Sequence, residues 1–342
     1  MRTIGLLVAA VIWVGGAAPA AAASLMGVAC TRPPAAHCEA SGCTADLLAD
    51  TGAAVEPKSG RKFFLDFPCD LKAGEKVTVV LALHGGGSIG NWQRHYFPIV
   101  DYKDRNRLVI ATPSGTGRSW KAEKDDAYVR GVVEAVYGAV GPKNVRAFWL
   151  AGHSLGGQTS NRLLTQPFYR DKLTGWVSLS GGRLGSKREE VRAPIPAQTG
   201  AAAPPTGAMR LAADASVLPP FPFSFIYETG EHELTAAGLP PESKWARRLG
   251  CVRQSKTRTV VDTQPGYVND TRPQSNPNPI WGGKARPGSA RIYTYPRCQE
   301  GRVVADIVRL DKGHTEGLEP HITEEIVRMM MSAPSGPSAR GG

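Results

Sequence analysis

The apolar residues of the chain gather in short runs that are separated by polar and glycine-rich stretches. An alternating, aromatic stretch comes first, at 61–67. Six nearly continuous apolar runs follow it, at 76–84, 108–112, 145–151, 176–180, 222–227 and 303–310. Runs of this length, with many β-branched and aromatic residues, are typical of strands that are buried on both faces, as in a parallel sheet.

Helical patterns lie between these runs. Apolar residues recur at helical spacing in 127–140, a helical stretch follows the third apolar run directly at 156–164, and another lies at 322–331. Strands that alternate with helices predict an α/β fold with a doubly wound, mostly parallel sheet and helices on both faces. Because 42% of the residues are hydrophobic, one sizeable core is expected. We place this domain at 61–332 and a flexible tail at 333–342.

Two long segments interrupt the alternation. Residues 183–220 are dense in Pro, Ala and Gly, and residues 263–287 are dense in Pro, Asn and Gly. Loops of this length in a compact domain are usually functional or disordered. We expect cap-like loops over a site at the edge of the sheet, although a surface insertion explains the first segment equally well.

The start of the chain has the pattern of an export signal over residues 1–23. Arg2 provides the positive charge, Ile4–Val14 the apolar core, and Ala17–Ala23 the small residues after which signal peptidase cleaves. The pattern predicts a secreted or periplasmic protein whose mature form begins at or shortly before Ser24.

Six cysteines lie beyond this signal. They are Cys30, Cys38, Cys43, Cys69, Cys251 and Cys298. An even number in an exported chain favours disulfides, and none of the six forms the paired C-x-x-C clusters of a zinc site. We expect the cysteines of the N-terminal segment 24–60 to staple it to Cys69, with the individual pairs left open. The stretch before Cys30 loosely resembles a lipoprotein cleavage site but lacks its Leu, so a released protein is favoured over a lipid anchor.

The chain is basic, with a formal net charge of +11. Its basic residues are scattered and no nucleic-acid-binding motif accompanies them, which indicates a solvated surface rather than a nucleic-acid-binding protein. After the signal, no stretch reaches the ~18 consecutive apolar residues of a transmembrane helix. Neither feature determines the oligomeric state.

A G-x-S-x-G motif, Gly152-His153-Ser154-Leu155-Gly156, lies between the apolar run at 145–151 and a helical stretch. In α/β-hydrolases this motif forms a sharp turn that exposes a nucleophilic serine, and its glycines remove side chains that would collide there. The motif alone is common, but a strand before it and a helix after it are what the turn requires. Ser154 is therefore the predicted nucleophile.

A glycine-rich loop, His84-Gly85-Gly86-Gly87, follows the first apolar run. A serine hydrolase stabilises the oxyanion of its tetrahedral intermediate with preset backbone N–H groups. One N–H comes from the residue after the nucleophile, here Leu155, and the other from a loop of this kind. We assign the second donor to Gly86, with Gly85 and Gly87 as alternatives. The loop lacks the Lys-Ser/Thr of a Walker phosphate-binding loop.

His314 follows the last apolar run and is the predicted general base. The α/β-hydrolase order of nucleophile, acid and histidine requires a late histidine after a strand. Among the other histidines, His95 lies too early in the chain, and His321 lies at the start of a helix, where a surface or capping role is expected.

The acid that orients His314 must lie between Ser154 and His314, just past the end of a strand. Three glutamates follow the run at 222–227, in Glu228-Thr229-Gly230-Glu231-His232-Glu233. We assign the acid to Glu233, with Glu231 and then Glu228 as alternatives.

With these residues in place, the chain resembles the secreted esterases of the poly(3-hydroxybutyrate) depolymerase and feruloyl esterase group of α/β-hydrolases, over roughly residues 61–330. The resemblance rests on a set of short motifs. They are the His84-Gly85-Gly86-Gly87 loop with Asn91-Trp92, Thr112-Pro113-Ser114-Gly115, the Ser154 motif, Gly230-Glu231-His232-Glu233, Trp245 with Leu249-Gly250-Cys251, Cys298 with Gly301-Arg302-Val303-Val304, and Gly313-His314.

The resemblance implies a secreted serine hydrolase that cleaves small-molecule or polymeric carboxylic esters, of the feruloyl or hydroxyalkanoate type, without a metal or organic cofactor. It also implies a disulfide between Cys251 and Cys298. Two departures weaken a role in degrading solid polyester. No aromatic residue follows His314, where Thr315-Glu316-Gly317 stands instead, and no binding domain is evident up to Gly342.

Two other functions stay open at this stage. One is hydrolysis of the carbon–carbon bond of a β-diketone, as in oxidised poly(vinyl alcohol), on a similar scaffold. The other is a catalytically silent binding protein of the cell envelope.

Overall fold

A ten-stranded β-sheet forms the centre of the protein. The structure, a computed structural model, describes residues 24–30, 53–193, 218–252, 257–268 and 278–337. The predicted signal peptide, Cys38, Cys43 and most of the 183–220 segment lie outside these ranges.

Twelve strands and eight α-helices are defined in the described residues. The strands are β1 (Ser24–Leu25), β2 (Val28–Ala29), β3 (Ala53–Val55), β4 (Lys62–Asp66), β5 (Val77–Leu83), β6 (Leu108–Pro113), β7 (Val145–His153), β8 (Gly175–Leu179), β9 (Ser224–Gly230), β10 (Arg258–Asp262), β11 (Gly288–Tyr295) and β12 (Val304–Leu310). The helices are α1 (Gly90–Tyr96), α2 (Lys103–Asn106), α3 (Ala122–Val140), α4 (Leu155–Leu164), α5 (Pro167–Arg170), α6 (Arg188–Val191), α7 (Lys244–Arg248) and α8 (Pro320–Ser332). Strands β1 and β2 pair only with each other, and the other ten form the central sheet.

Six parallel strands form the middle of this sheet, in the order β6-β5-β7-β8-β9-β12. Antiparallel strands extend both edges, β4 and β3 on one side and β11 and β10 on the other. The strands expected from the sequence are all present. Only β9 differs clearly, because it continues to Gly230 and so includes Glu228.

The apolar runs are continuous because helices cover both faces of the parallel strands. On β7, Phe148 and Leu150 pack with α3 and α4 on one face, while Trp149 and Ala151 pack with α1 and α8 on the other. Full burial of a large apolar side chain contributes about 1.5–3 kcal/mol, so these two layers dominate the stability of the fold. This covering and the strand order confirm the α/β-hydrolase fold.

The hairpin of β10 and β11 is not indicated by the apolar pattern. Most side chains of β10 are exposed or half-buried, and Val261 is 65% exposed. An edge strand of this kind buries too little surface to require a continuous apolar run. The 263–287 segment therefore connects two strands of the sheet.

Two disulfides lie within the described residues. One joins Cys251 to Cys298, as the resemblance implies, and the other joins Cys30 to Cys69. A sulfur atom in a disulfide cannot carry a lipid, so the second bond argues against an anchor at Cys30. None of the helices in the described part of the chain is both long and apolar enough to cross a membrane.

Candidate active site

Ser154 lies on the sharp turn between β7 and α4. Its backbone has φ 51° and ψ −115°, a strained conformation that non-glycine residues adopt mainly at functional sites. The turn needs the glycines on either side. A Cβ on Gly152 would lie 2.4 Å from the carbonyl carbon of Gly156, and a Cβ on Gly156 would lie 2.2 Å from the carbonyl oxygen of Leu83. The backbone of the neighbouring β5 therefore fixes where the serine is presented.

Three side chains from separate loops meet at this turn. His314 Nε2 lies 2.9 Å from Ser154 Oγ, and His314 Nδ1 lies 2.6 Å from Glu233 Oε2. His314 is on the loop after β12, and Glu233 ends a 3₁₀ turn that follows β9. Because these strands are parallel, their carboxyl ends lie at the same edge of the sheet. This geometry is the one that the predicted roles of nucleophile, base and acid would need.

The structure brings one of the three candidate glutamates to His314. Glu233 is fully buried, and its Oε1 accepts hydrogen bonds from the Ser180 and Thr229 hydroxyls and from the Gly230 N–H. Glu231 instead accepts from the backbone N–H of Asp311, at 2.9 Å.

Glu228 has a different partner. It lies within β9 and pairs with Arg309 Nε at 2.7 Å, and both side chains are completely buried. Burial raises the pKa of Glu228, while the charge of Arg309 acts against this effect. Glu228 therefore belongs to an ion pair beneath the site and does not reach His314.

The glycine-rich loop lies beside the residue after Ser154. A Cβ on Gly86 would lie 3.5 Å from Leu155 Cδ2, whereas the Gly87 N–H is engaged, donating to the carbonyl of Arg118 at 2.7 Å. No acceptor for the N–H of Gly86 or Leu155 is seen in the part of the chain that the structure describes. The same holds for the Gly85 N–H, so the hydrogen bonds set Gly87 apart and leave Gly86 and Gly85 as candidate partners of Leu155 in an oxyanion site.

His84 holds this loop in position. Its Nε2 accepts from the Gly115 N–H at 2.9 Å, its Nδ1 lies 2.7 Å from the carbonyl of Gly85, and Trp120 donates to the carbonyl of His84. Burial lowers the pKa of His84 to about 4. The neutral ring, with one donor and one acceptor, suits both of its partners.

The backbone of His314 is fixed by two further aromatic residues. His153 Nε2 lies 2.9 Å from the carbonyl oxygen of His314, and the Tyr96 hydroxyl donates to the same oxygen at 3.3 Å. Burial and the neighbouring His314 hold the pKa of His153 well below its usual range. A neutral His153 therefore donates one hydrogen bond from Nε2. Neither role is indicated by the sequence.

An aromatic side chain reaches His314 from the 263–287 segment, one of the two segments for which a cap-like loop is predicted. Trp281, on a short 3₁₀ turn in the connection between β10 and β11, lies edge-on to the His314 ring with 5.6 Å between ring centroids. The N–H of His314 donates to the carbonyl of Ile280, and the N–H of Thr315 to that of Trp281. Part of the 263–287 segment thus packs on the histidine loop and supplies the aromatic neighbour that the residues after His314 lack.

Arg192 is a second residue that sequence reasoning missed. It follows α6 in the 183–220 segment, is 7% exposed, and contacts both Glu233 and His314. Burial lowers its pKa from the usual value. As to metal ions, the described residues contain no cluster of three or more His, Cys, Asp or Glu side chains arranged to hold one.

No protein-family model matches the sequence, and no match is found among curated proteins. Among solved structures, the chain is similar to an acetyl xylan esterase from Aspergillus awamori, with a TM-score of 0.42 and 14% identity, covering 80% of this chain and 95% of that one. It is also similar to TT1662 from Thermus thermophilus, with a TM-score of 0.39 and 14% identity, covering 79% and 92%.

A third similar structure is Est1E from Butyrivibrio proteoclasticus, with a TM-score of 0.34 and 16% identity, covering 53% of this chain and 78% of that one. Likenesses this distant carry no conclusion about activity. The fold assignment rests on the strand order and the turn at Ser154, and the resemblance to the depolymerase and feruloyl esterase group stays a prediction.

Proposed function

We propose that the protein is a serine hydrolase that cleaves carboxylic esters by two-step acyl transfer. The observation that carries the proposal is the chain of close polar contacts in which His314 Nε2 lies 2.9 Å from Ser154 Oγ and His314 Nδ1 lies 2.6 Å from Glu233 Oε2. The N–H groups of Gly86 and Leu155, for which the described residues provide no acceptor, lie next to these contacts. A nucleophile, an oriented base and an oxyanion site are the parts that acyl transfer needs.

In the first step His314 Nε2 takes the proton of Ser154 Oγ as that oxygen attacks the ester carbonyl carbon. The carbonyl oxygen becomes an oxyanion and accepts hydrogen bonds from the N–H groups of Gly86 and Leu155. Glu233 stabilises the imidazolium that forms. His314 then returns the proton to the leaving alcohol, and an acyl group remains on Ser154.

In the second step water replaces the alcohol. His314 removes a proton from the water as it attacks the acyl carbon, and then protonates Ser154 Oγ as the acid product leaves. Neither of the two reaction steps requires an oxidant, a reductant or a second substrate besides water.

The surroundings of the base favour an ester with an apolar part. Trp281 offers a half-buried aromatic surface beside His314, and such surfaces bind aromatic and aliphatic groups. Feruloyl and short hydroxyalkanoate esters both have this character, so these two classes are the substrates we propose. The two disulfides fit action in an oxidising compartment outside the cytoplasm.

A substrate panel on purified protein tests the proposal. It contains p-nitrophenyl acetate and butyrate, methyl ferulate, hydroxybutyrate oligomers and a model β-diketone, together with a fluorophosphonate probe. We expect ester turnover and probe labelling in the natural chain. In Ser154→Ala we expect turnover to fall by roughly 10⁴-fold or more.

The matched control is Ser332→Ala, the same substitution at an exposed serine at the end of α8, which is expected to leave both readouts unchanged. Probe labelling that persists in Ser154→Ala would refute Ser154 as the nucleophile. Turnover of the diketone far above that of every ester would replace ester cleavage with carbon–carbon hydrolysis. Neither turnover nor labelling in the natural chain would favour a binding protein.

A further inference from the structure

Backbone hydrogen bonds hold Arg192 next to the turn that carries Glu233. The segment that follows α6 lies alongside the turn that ends at Glu233, with an isolated bridge between Arg192 and Leu234. The N–H of Ala193 donates to the carbonyl of Glu233 at 2.9 Å, and the N–H of Thr235 to that of Val191 at 3.2 Å. These bonds fix the direction from which the arginine side chain enters the site.

The guanidinium of Arg192 then contacts two of the three candidate catalytic residues. Its Nη1 donates to the carbonyl of Ser180 at 2.7 Å, its Nη2 donates to Glu233 Oε2, and the same Nη2 lies 2.9 Å from His314 Nδ1. The side chain is 6% exposed. Charges that are shielded from water in this way interact far more strongly than they do at the surface.

This placement has opposite effects on its two neighbours. A cation beside Glu233 favours the ionised carboxylate, which is otherwise costly in a fully buried position. A cation beside His314 disfavours the imidazolium, because a like charge within a few ångströms opposes protonation. Arginine keeps its charge in nearly every protein environment, so neither effect disappears with a change of pH.

We propose that Arg192 is a positioning residue of the candidate triad, one that keeps Glu233 ionised and makes His314 protonate at a lower pH than it would beside Glu233 alone. The proposal rests on the function proposed above. It gives the segment after β8 a role in the reaction, since that segment supplies a charge to the triad.

The other charged and titratable groups around this pair do not duplicate the effect. They are His153 on β7, Tyr96 on α1, Tyr227 and Glu228 on β9, Arg309 on β12 and Arg188 on α6. His153 is neutral, because burial holds its pKa well below the usual range. Glu228 and Arg309 neutralise each other in a buried pair, and Arg188 is exposed. Arg192 is therefore the cation of this set that acts directly on His314.

The test compares the pH dependence of kcat/KM for p-nitrophenyl acetate in the natural chain, Arg192→Met and Arg192→Lys. Without the cation, His314 protonates more readily, so we expect the acidic limb of Arg192→Met to move to higher pH by about one unit or more. Arg192→Lys retains the charge, and its limb is expected to stay within about half a unit of the natural one. Arg188→Met, one turn earlier and exposed, is the matched control and should not move the limb.

The test uses the pH of the acidic limb and not the maximal value of kcat/KM, because the maximal value also depends on how Glu233 is oriented. An acidic limb of Arg192→Met at the natural position would overturn the proposal. If that variant does not fold by circular dichroism, Arg192→Gln, which keeps a donor for Glu233 but no charge, is measured in its place. An acidic limb of Arg192→Gln at the natural position would then overturn the proposal.

Failure of the proposed function gives a different result. If the natural chain neither turns over esters nor reacts with the probe, there is no pH profile, and both proposals fall together. An active natural chain whose limb does not respond to Arg192 overturns only the role of the arginine.

Discussion

Replacing Glu233 by Gln changes one atom of a side chain whose every contact is defined. Oε1 accepts three hydrogen bonds, from Ser180, Thr229 and Gly230, while Oε2 faces His314 and Arg192. All of these partners can donate, and a carboxylate has acceptors on both sides. An amide has a donor on one side, so either orientation of Gln places its NH₂ against groups that also donate.

The orientation that keeps the bonds to Oε1 turns the NH₂ toward His314. His314 Nδ1 must then accept, which moves the ring proton to Nε2, where it cannot take the proton of Ser154. The equivalent change of tautomer in a serine protease triad lowers kcat by about 10⁴-fold, and we expect a loss of that order here.

The substitution also removes the charge that compensates Arg192. Breaking a buried ion pair by neutralising one partner costs about 3–5 kcal/mol. For a domain of this size each kcal/mol corresponds to about 2–4 °C in Tm. Glu233→Gln is thus expected to lower Tm by roughly 10 °C while the protein still folds at 25 °C.

The assay is kcat for p-nitrophenyl acetate at 25 °C, with Tm from calorimetry on the same samples. Glu231→Gln is the matched control, because Glu231 is exposed and its carboxylate accepts from the backbone of Asp311. It should keep kcat within about twofold and Tm within a few degrees of the natural values. The reasoning is refuted if Glu233→Gln retains more than about a tenth of the natural kcat, or if Glu231→Gln is the variant that loses it.

Two further predictions concern the backbone and the loop at the site. Gly156→Ala is expected to destabilise the fold strongly, because its Cβ would lie 2.2 Å from the carbonyl oxygen of Leu83. Gly138→Ala is the control: it is exposed on α3, no atom lies within 4 Å of the new Cβ, and the free energy of unfolding should rise by about 0.5–1 kcal/mol. Urea unfolding compares the two variants, and equal midpoints would contradict the steric argument. His84, with a pKa of about 4 in the folded protein, binds fewer protons there than in the unfolded chain below about pH 6.5. Its contribution to stability is therefore complete above that pH and is lost as the pH falls toward 4, by roughly 3 kcal/mol. Urea unfolding at pH 7 and pH 4.5 measures this loss in the free energy of unfolding. If His84→Gln lost as much stability between the two pH values as the natural chain does, the loss would not come from His84.

The parts of the molecule that the sequence predicts well are those where burial leaves no choice of residue. Each parallel strand is covered on both faces, as β7 shows with Phe148 and Trp149 on opposite sides, so its apolar run is unbroken and can be seen in the sequence. The same holds for the turn at Ser154, where the backbone of β5 leaves no room for a side chain on Gly156.

The edge of the sheet gives no such signal. The strands β10 and β11 bury one face at most, and their residues alternate or lie exposed. Both strands contain β-branched or aromatic residues, such as Val260, Ile292 and Tyr293, but neither shows the unbroken apolar run of a strand that is buried on both faces. The consequence reaches the site, because that loop carries Trp281, whose contact with His314 depends on the hairpin that the sequence does not predict.

The sequence leaves the choice among the three glutamates open for a related reason. Glu228 lies at the carboxyl end of an apolar run, where a charged residue normally indicates that a strand has ended. The strand continues to Gly230 because Arg309, at the register position of that glycine on β12, neutralises Glu228 inside the core. Only the pairing of β9 with β12 shows that Glu228 is occupied, and that the turn after Gly230 carries Glu233 to His314.

Arg192 is the residue at the site that the sequence gives least means of predicting. It is 41 residues before Glu233 and 122 before His314, in a segment without helical or strand periodicity, so no local pattern connects it to the triad. A buried arginine beside a base is unfavourable unless a carboxylate shares the contact. The geometry that places Glu233 between Arg192 and His314 meets that condition. We therefore expect the candidate triad and the arginine to depend on each other, and the acidic limb of the pH profile measures that dependence, since it should respond to the charge at position 192 while the fold is unchanged.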